Sequence, residues 1–68
     1  MIQVFRERLY EEIKRSGITT KELAEKTGVS PEMITQYYTT KKLPRLDTFL
    51  QLCKALDVSA DYLLGLED

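Results

Sequence analysis

The sequence repeats one helix-start pattern three times. A β-branched apolar residue precedes a serine or threonine, and a leucine or isoleucine follows four residues later: Ile18–Thr19–Leu23, Val29–Ser30–Ile34 and Val58–Ser59–Leu63. Serine and threonine are favoured N-caps because their side-chain oxygen accepts a free backbone N–H of the first turn. The flanking apolar pair has the spacing of a hydrophobic staple. The pattern therefore predicts three helix starts at defined points of a short chain.

Glycine and proline support the same helix boundaries. Gly17, Gly28 and Gly65 follow the first, second and fifth predicted helices, where a left-handed residue commonly ends a helix. Pro31 follows the Ser30 cap at the first helical position, where its missing N–H has no consequence. Pro31 is therefore expected to begin the third helix.

Two further helices are predicted from apolar residues at spacings of three and four. The first helix carries them among charged residues at Ile2, Phe5, Leu9 and Ile13. The fourth carries them on one predicted face at Leu46, Phe49, Leu50, Cys53 and Leu56. A loop from Thr39 to Pro44 precedes the fourth helix. Residues 1–68 are thus predicted to form one all-α domain of five helices.

The cysteine and histidine content excludes two common ways of stabilising a small domain. Cys53 is the only cysteine among 68 residues and there is no histidine, which excludes an internal disulfide and the usual structural zinc sites. A single cysteine and the absence of a signal-like apolar stretch fit a reducing cytoplasm. The longest apolar run is three residues, so no membrane span is expected. No residue pattern calls for a cofactor.

Charge is unevenly distributed along the chain, although the net charge is only −1. Residues 33–46 contain no acid and three bases, Lys41, Lys42 and Arg45, whereas residues 55–68 contain four acids and no base. Such a basic edge fits a surface that faces phosphates. It fits equally well a solvated loop that happens to contain three cations. Charge alone leaves both interpretations open.

The second and third predicted helices have the composition of a helix-turn-helix. A small residue, a turn glycine and apolar anchors on both sides are needed to hold two helices at a steep angle. They are present as Leu23, Ala24, Gly28, Val29, Ile34 and Tyr37. This arrangement leaves Glu32, Met33, Thr35 and Gln36 for the exposed face of the third helix.

The segments "GITTKELAEKTGVSPEMI" and "LPRLDTFLQLCKALDVSADYLLG" resemble the phage repressor and Cro-type (Xre-like) helix-turn-helix family. The resemblance covers the chain from about Phe5 to Gly65. It implies a compact, lambda-repressor-like five-helix domain with the third helix, about 31–38, in the major groove of DNA. It also implies a transcriptional regulator, usually a repressor, that binds a near-palindromic double-stranded operator as a homodimer.

The resemblance also implies roles for individual residues. The base-facing set would be Pro31, Glu32, Met33, Thr35 and Gln36. The phosphate-contacting set would be Thr19, Thr20, Ser30, Lys41, Lys42 and Arg45. The dimer contact, placed by the family on the fifth helix and neighbouring loop, would be Tyr62, Leu63 and Leu66.

The sequence departs from the family pattern at several positions. The family commonly has glutamine where this chain has Thr20 and Pro31, and often has a Glu-x-Gly step where it has Tyr38 and Thr40. In relatives that glutamate can pair with a base on the first helix, at the position of Ile13 here. An Ile13–Tyr38 contact is expected to replace that buried ion pair, a change that is often neutral or stabilising.

The sequence also bears on two other function classes. Catalysis is not expected, because there is no histidine, no nucleophile with a neighbouring base, and too small a core to enclose a substrate. A protein-interaction module of the same fold, such as an antitoxin or anti-repressor, is the alternative. The acidic C-terminal end and the missing glutamines favour that alternative, which would add a protein partner.

Overall fold

The computed structural model describes residues 1–68 and contains five α-helices and no strand, which confirms the predicted fold class. The helices are α1 (Ile2–Ser16), α2 (Thr20–Thr27), α3 (Pro31–Thr39), α4 (Leu46–Leu56) and α5 (Ala60–Leu64). None of them has the length and apolar composition needed to span a bilayer. α3 includes Thr39, so the predicted loop begins one residue later than expected.

The three predicted N-caps are present. Thr19 Oγ1 accepts a hydrogen bond from the Glu22 N–H at 3.0 Å, and the Glu22 carboxylate accepts one from the Thr19 N–H at 3.3 Å, completing a capping box. The hydroxyls of Ser30 and Ser59 each accept from the N–H three residues on, at 3.1 and 3.0 Å. Helix starts in this chain are therefore set by contacts between near neighbours in sequence.

Ten side chains form the core between the helices. α2 packs against α3 and α4, while α1 packs against α3, α4 and α5. The rings of Phe5 on α1 and Phe49 on α4 lie 6.0 Å apart between centroids. The buried hydrophobic residues are Phe5, Leu9, Leu23, Ala24, Ile34, Tyr37, Phe49, Leu52, Leu56 and Leu63.

The predicted apolar face of α4 was partly wrong. Leu46 and Leu50 are exposed, whereas Leu52, which the prediction omitted, is fully buried. α4 carries two overlapping apolar stripes, and the helix is rotated so that Phe49, Leu52 and Leu56 face the core. The other stripe is left on the surface.

One charged residue of α1 is buried against expectation. Glu12 is one of the charged residues that lie among the apolar positions of the first helix, yet it is only 6% exposed. Arg15 Nη2 donates to Glu12 Oε1, and this ion pair compensates the carboxylate. A buried carboxylate without such a partner would be strongly disfavoured.

Candidate nucleic-acid interface

A three-residue turn orients α3 relative to α2. Gly28 ends α2 in the left-handed conformation (φ 77°), which costs a residue with a side chain more than it costs glycine. The Gly28 N–H donates to the Ala24 carbonyl at 2.9 Å. Ala24 itself is buried, and its small side chain allows the helices to pack closely. The turn therefore has the features predicted for a helix-turn-helix.

Two buried residues determine which side of α3 faces outward. Ile34 and Tyr37 are both buried in the core. A helix that buries these two positions turns the remaining positions of each turn toward solvent. Of the five predicted base-facing residues, the structure exposes Pro31, Glu32, Thr35 and Gln36.

Met33 is the exception in the base-facing set. The sequence placed it on the exposed face because Ile34 occupies the buried phase. The structure instead holds Met33 half-buried and packed against the core. Residues 33 and 34 are adjacent on the helix. The face of α3 that contacts the core is wide enough to include part of Met33 as well as Ile34. Only part of the Met33 side chain is available to a ligand.

The side chains of Thr35 and Gln36 differ in what they offer. Thr35 Oγ1 donates to the Pro31 carbonyl at 3.2 Å, so its hydroxyl retains mainly acceptor capacity. The Thr40 hydroxyl donates to the backbone carbonyl of Gln36 at 2.7 Å, and the Gln36 side-chain amide has no partner within the protein. Gln36 therefore presents a free donor and a free acceptor side by side.

Two of the three predicted phosphate contacts at the helix starts, Thr19 and Ser30, already serve as helix caps. Ser30 Oγ accepts from the Met33 N–H but keeps its own hydrogen free. Thr19 Oγ1 donates to Glu22 Oε1 at 3.0 Å, so both of its bonding functions are engaged. Thr20 is half-buried. Ser30 is thus the best placed of the three hydroxyls to donate to an anion.

The basic loop contains two free cations and one that is paired. Lys41 and Lys42 are exposed, and neither has a carboxylate within salt-bridge distance. The Arg45 Nε lies 3.5 Å from Asp47 Oδ1, which partly compensates its charge. α3 has nine residues and is therefore about 13 Å long, so the Ser30 cap and the lysines lie beyond opposite ends of its exposed face.

The residues predicted for a dimer contact are in three different environments. Leu63 is fully buried in the core, so its side chain cannot contact another subunit. The prediction that Leu63 forms part of a dimer contact was therefore wrong. α5 is a single short helix, and Leu63 is the residue that it turns inward. Tyr62 is half-buried beneath Arg8, whose guanidinium carbon lies 4.3 Å from the ring centroid. Leu66 is 74% exposed.

The expected Ile13–Tyr38 contact stays a prediction. Both side chains are half-buried against the core. The Tyr38 ring lies 5.4 Å from the ring of Tyr10, at an angle of 45° between the planes. Tyr38 is therefore held between α3 and α1 in part by an aromatic pair that the sequence did not indicate.

Sequence reasoning also missed three exposed leucines: Leu43 in the loop before α4, and Leu46 and Leu50 in the first half of α4. Leu46 and Leu50 were predicted to face the core, and Leu43 was part of the predicted loop. One feature of the sequence could have indicated them: α4 has more apolar residues than one helix face can bury, so some must be exposed.

Comparison with known proteins identifies the family. The helix-turn-helix family model HTH_3 matches residues 9–63. The chain is 39% identical over 62 residues to YobD, an uncharacterized HTH-type transcriptional regulator of Bacillus subtilis (strain 168), with 91% of this chain and 55% of YobD covered. It is 38% identical over 61 residues to ImmR, an HTH-type transcriptional regulator of the same organism, with 90% of this chain and 48% of ImmR covered.

The chain thus spans about half the length of these curated relatives. No solved structure matches it significantly. The family match covers both helices of the motif, the turn between them and the helices that support them. The chain belongs to the Xre-like helix-turn-helix family.

Proposed function

We propose that this protein is a sequence-specific DNA-binding transcriptional regulator that acts as a repressor. It binds a near-palindromic operator as a homodimer, with α3 of each subunit in the major groove. Family membership supports the proposal, as do the names of YobD and ImmR, both HTH-type transcriptional regulators. Because those relatives are about twice as long, the activity of the whole protein is part of the proposal.

The observation that carries the proposal is the division of α3 into an anchored face and a free polar face. Ile34 and Tyr37 hold the helix against the core, while Gln36 projects an unpartnered amide. An amide of this kind can bond to both N6 and N7 of adenine. In the same groove Glu32 accepts from a cytosine amine and the exposed part of Met33 contacts a thymine methyl. Pro31 contributes only its shape, and the Thr35 hydroxyl contributes one hydrogen-bond acceptor.

Affinity in this proposal comes from the phosphates. Lys41 and Lys42 supply uncompensated charge, and Arg45 is the third proposed phosphate contact, with a charge partly compensated by Asp47. Ser30, Thr19 and Thr20 lie at helix N-termini, where backbone N–H groups and the helix dipole attract anions. Contacts of this class fix the protein on the duplex without reading its sequence.

The alternative is a protein-interaction module of the same fold. It is favoured by the acidic end of the chain, where Asp57, Asp61, Glu67 and Asp68 are not offset by any base. The two functions differ in salt dependence. Binding to DNA weakens linearly on a log–log plot as salt rises, with a slope set by the number of phosphates neutralised.

Selection from a random duplex library at near-physiological salt tests the proposal. We expect enrichment of an inverted repeat whose half-site centres lie about one helical turn apart. A Gln36→Ala variant should lose preference at one position of each half-site, and Gln51→Ala, on the exposed surface of α4, should not. Folded protein that enriches no sequence would reject the proposal in favour of a partner-binding module.

A further inference from the structure

The start of α4 has an apolar surface that nothing in the chain covers. Leu43, Leu46 and Leu50 are 42%, 83% and 51% exposed, and we call them the Leu46 patch. Leu46 is the most exposed large hydrophobic residue of the protein. Single exposed leucines are ordinary, but a continuous apolar patch on a small protein usually marks an interaction site.

The patch has both a projection and recesses. On one side of Leu46 is a groove of about 220 Å³ lined almost entirely by apolar residues, including Met1, Leu43, Pro44 and Leu64. On its other side a wider, shallower groove is lined in part by Leu50, Cys53 and Ala60. Leu46 therefore stands as a ridge between two apolar depressions.

Charges of both signs border the ridge. Arg45 precedes Leu46 and Asp47 follows it, with side chains 86% and 70% exposed. The patch therefore carries one positive and one negative group and no net charge. A surface that meets its own copy about a two-fold axis must be complementary to itself in shape and in charge. A ridge beside a groove, bordered by one cation and one anion, meets that requirement.

We infer that a second copy of this chain docks on the Leu46 patch about a two-fold axis. Leu46 of each subunit enters the groove beside Pro44 and Leu64 of the other, and Arg45 faces Asp47 of the partner subunit. The inference rests on the homodimer of the proposed function and assigns its contact surface to α4. It replaces the contact expected at Tyr62, Leu63 and Leu66.

The position of the patch agrees with its role in a DNA-binding dimer. Lys41, Lys42 and Arg45 immediately precede Leu46 in the chain. A two-fold axis through the start of α4 therefore brings the basic loops of both subunits to the same edge of the dimer. Phosphates near the centre of an operator would meet that edge.

Sedimentation equilibrium at concentrations up to about 1 mM tests the assignment, since that range detects even weak association. The test variant is Leu46→Asp, and the matched control is Leu66→Asp, which changes another highly exposed leucine. Leu46→Asp should raise the dimer dissociation constant at least about 30-fold, as expected for a central anchor. Aspartate at the first position of α4 suits a helix N-terminus, so folding should persist.

The control should leave the dissociation constant unchanged. Dissociation by Leu66→Asp alone, an unaffected Leu46→Asp dimer, or a wild-type protein that is monomeric throughout would each overturn the inference. These results are independent of the duplex selection. A monomer that still enriches a specific sequence rejects the α4 contact and the homodimer but keeps sequence-specific DNA binding. An α4 dimer that enriches no sequence keeps the α4 contact but rejects DNA binding.

Charge reversal tests the two-fold arrangement separately. Arg45→Asp and Asp47→Arg should each weaken self-association, because like charges then face one another across the axis. An equimolar mixture should associate as a heterodimer, because in each pair one subunit carries two acids and the other two bases. A mixture that stays monomeric, with circular dichroism showing folded chains, would overturn this arrangement.

Discussion

The Arg8 guanidinium on α1 is bound to Tyr62 on α5 in two ways. Its central carbon lies 4.3 Å from the Tyr62 ring centroid, and its Nη1 donates to the Tyr62 carbonyl at 2.6 Å. The same nitrogen donates to the Glu67 carbonyl at 2.6 Å. Arg8 thus ties the last helix and the C-terminal residues to the first helix, across a separation of 54 residues in the case of Tyr62.

Loss of this arginine should loosen α5. Arg8→Ala removes charge-assisted hydrogen bonds and a cation–π contact, so the free energy of unfolding should fall by about 1–3 kcal/mol. Urea denaturation measures the fall, and hydrogen exchange of the α5 amides locates it. Arg8→Lys keeps the charge without the planar fork and should give an intermediate result. Unchanged exchange in α5 would show that Arg8 does not hold this helix.

Ser30 should separate helix capping from phosphate binding. Its hydroxyl caps α3, so Ser30→Ala should cost about 1 kcal/mol of stability. Ser30→Asn and Ser30→Asp both keep a good cap, but only aspartate adds a negative charge where a phosphate is proposed. We expect equal or higher stability for Ser30→Asp and a large loss of DNA affinity relative to Ser30→Asn. Equal affinities of the two variants would place the phosphate elsewhere.

The lysines of the basic loop should affect affinity without affecting specificity. Lys41→Ala and Lys42→Ala should each lower the slope of log affinity against log salt by about 1 and weaken binding to all sequences alike. Lys54→Ala, an exposed lysine at the far end of α4, is the matched control and should leave the slope unchanged. If none of the three substitutions changed the slope, the loop would be an ordinary solvent-exposed loop that does not contact phosphates.

Gln36 should show the opposite behaviour. Gln36→Ala should cost about 1–3 kcal/mol on the preferred operator and almost nothing on a random duplex, because it removes base contacts only. Quantitative competition binding with single-base variants of the operator measures both effects. A uniform loss on every duplex would mean that Gln36 contacts the backbone.

Tyr37 should make the protein sensitive to alkali. Burial raises the pKa of its phenol above the ordinary value, and the negative charge of Asp47 adds to the effect. The unfolded chain then releases this proton more readily than the folded chain. The contribution to stability is therefore complete below about pH 10 and is lost as pH rises further.

Denaturation curves between neutral and strongly alkaline pH check this expectation. Tyr37→Phe should decline less than wild type above about pH 10, while the exposed Tyr10→Phe control should decline in parallel with wild type. Parallel curves for wild type and Tyr37→Phe would refute the assignment.

The helix boundaries and the exposure of most residues on the proposed DNA-facing side of α3 could be predicted from the sequence. Thr19, Ser30 and Ser59 cap helices, and Gly28 ends one, through contacts within four or five residues, so local chemistry was sufficient to predict them. Glu32, Thr35 and Gln36 are exposed, as the buried phase of Ile34 predicts, whereas Met33 is half-buried.

Tertiary packing decided what local periodicity leaves open. α4 has more apolar residues than one face can bury, and contact with α1 and α2 selected Leu52 for the core and left Leu46 outside. Glu12 became buried because α1 packs with that side toward the other helices, and Arg15 compensates its carboxylate. Leu63 turned inward and Leu66 outward because Arg8 holds α5 and Glu67 on α1. Each of these outcomes depends on the rotation of one helix against another, which residues of a single helix do not specify.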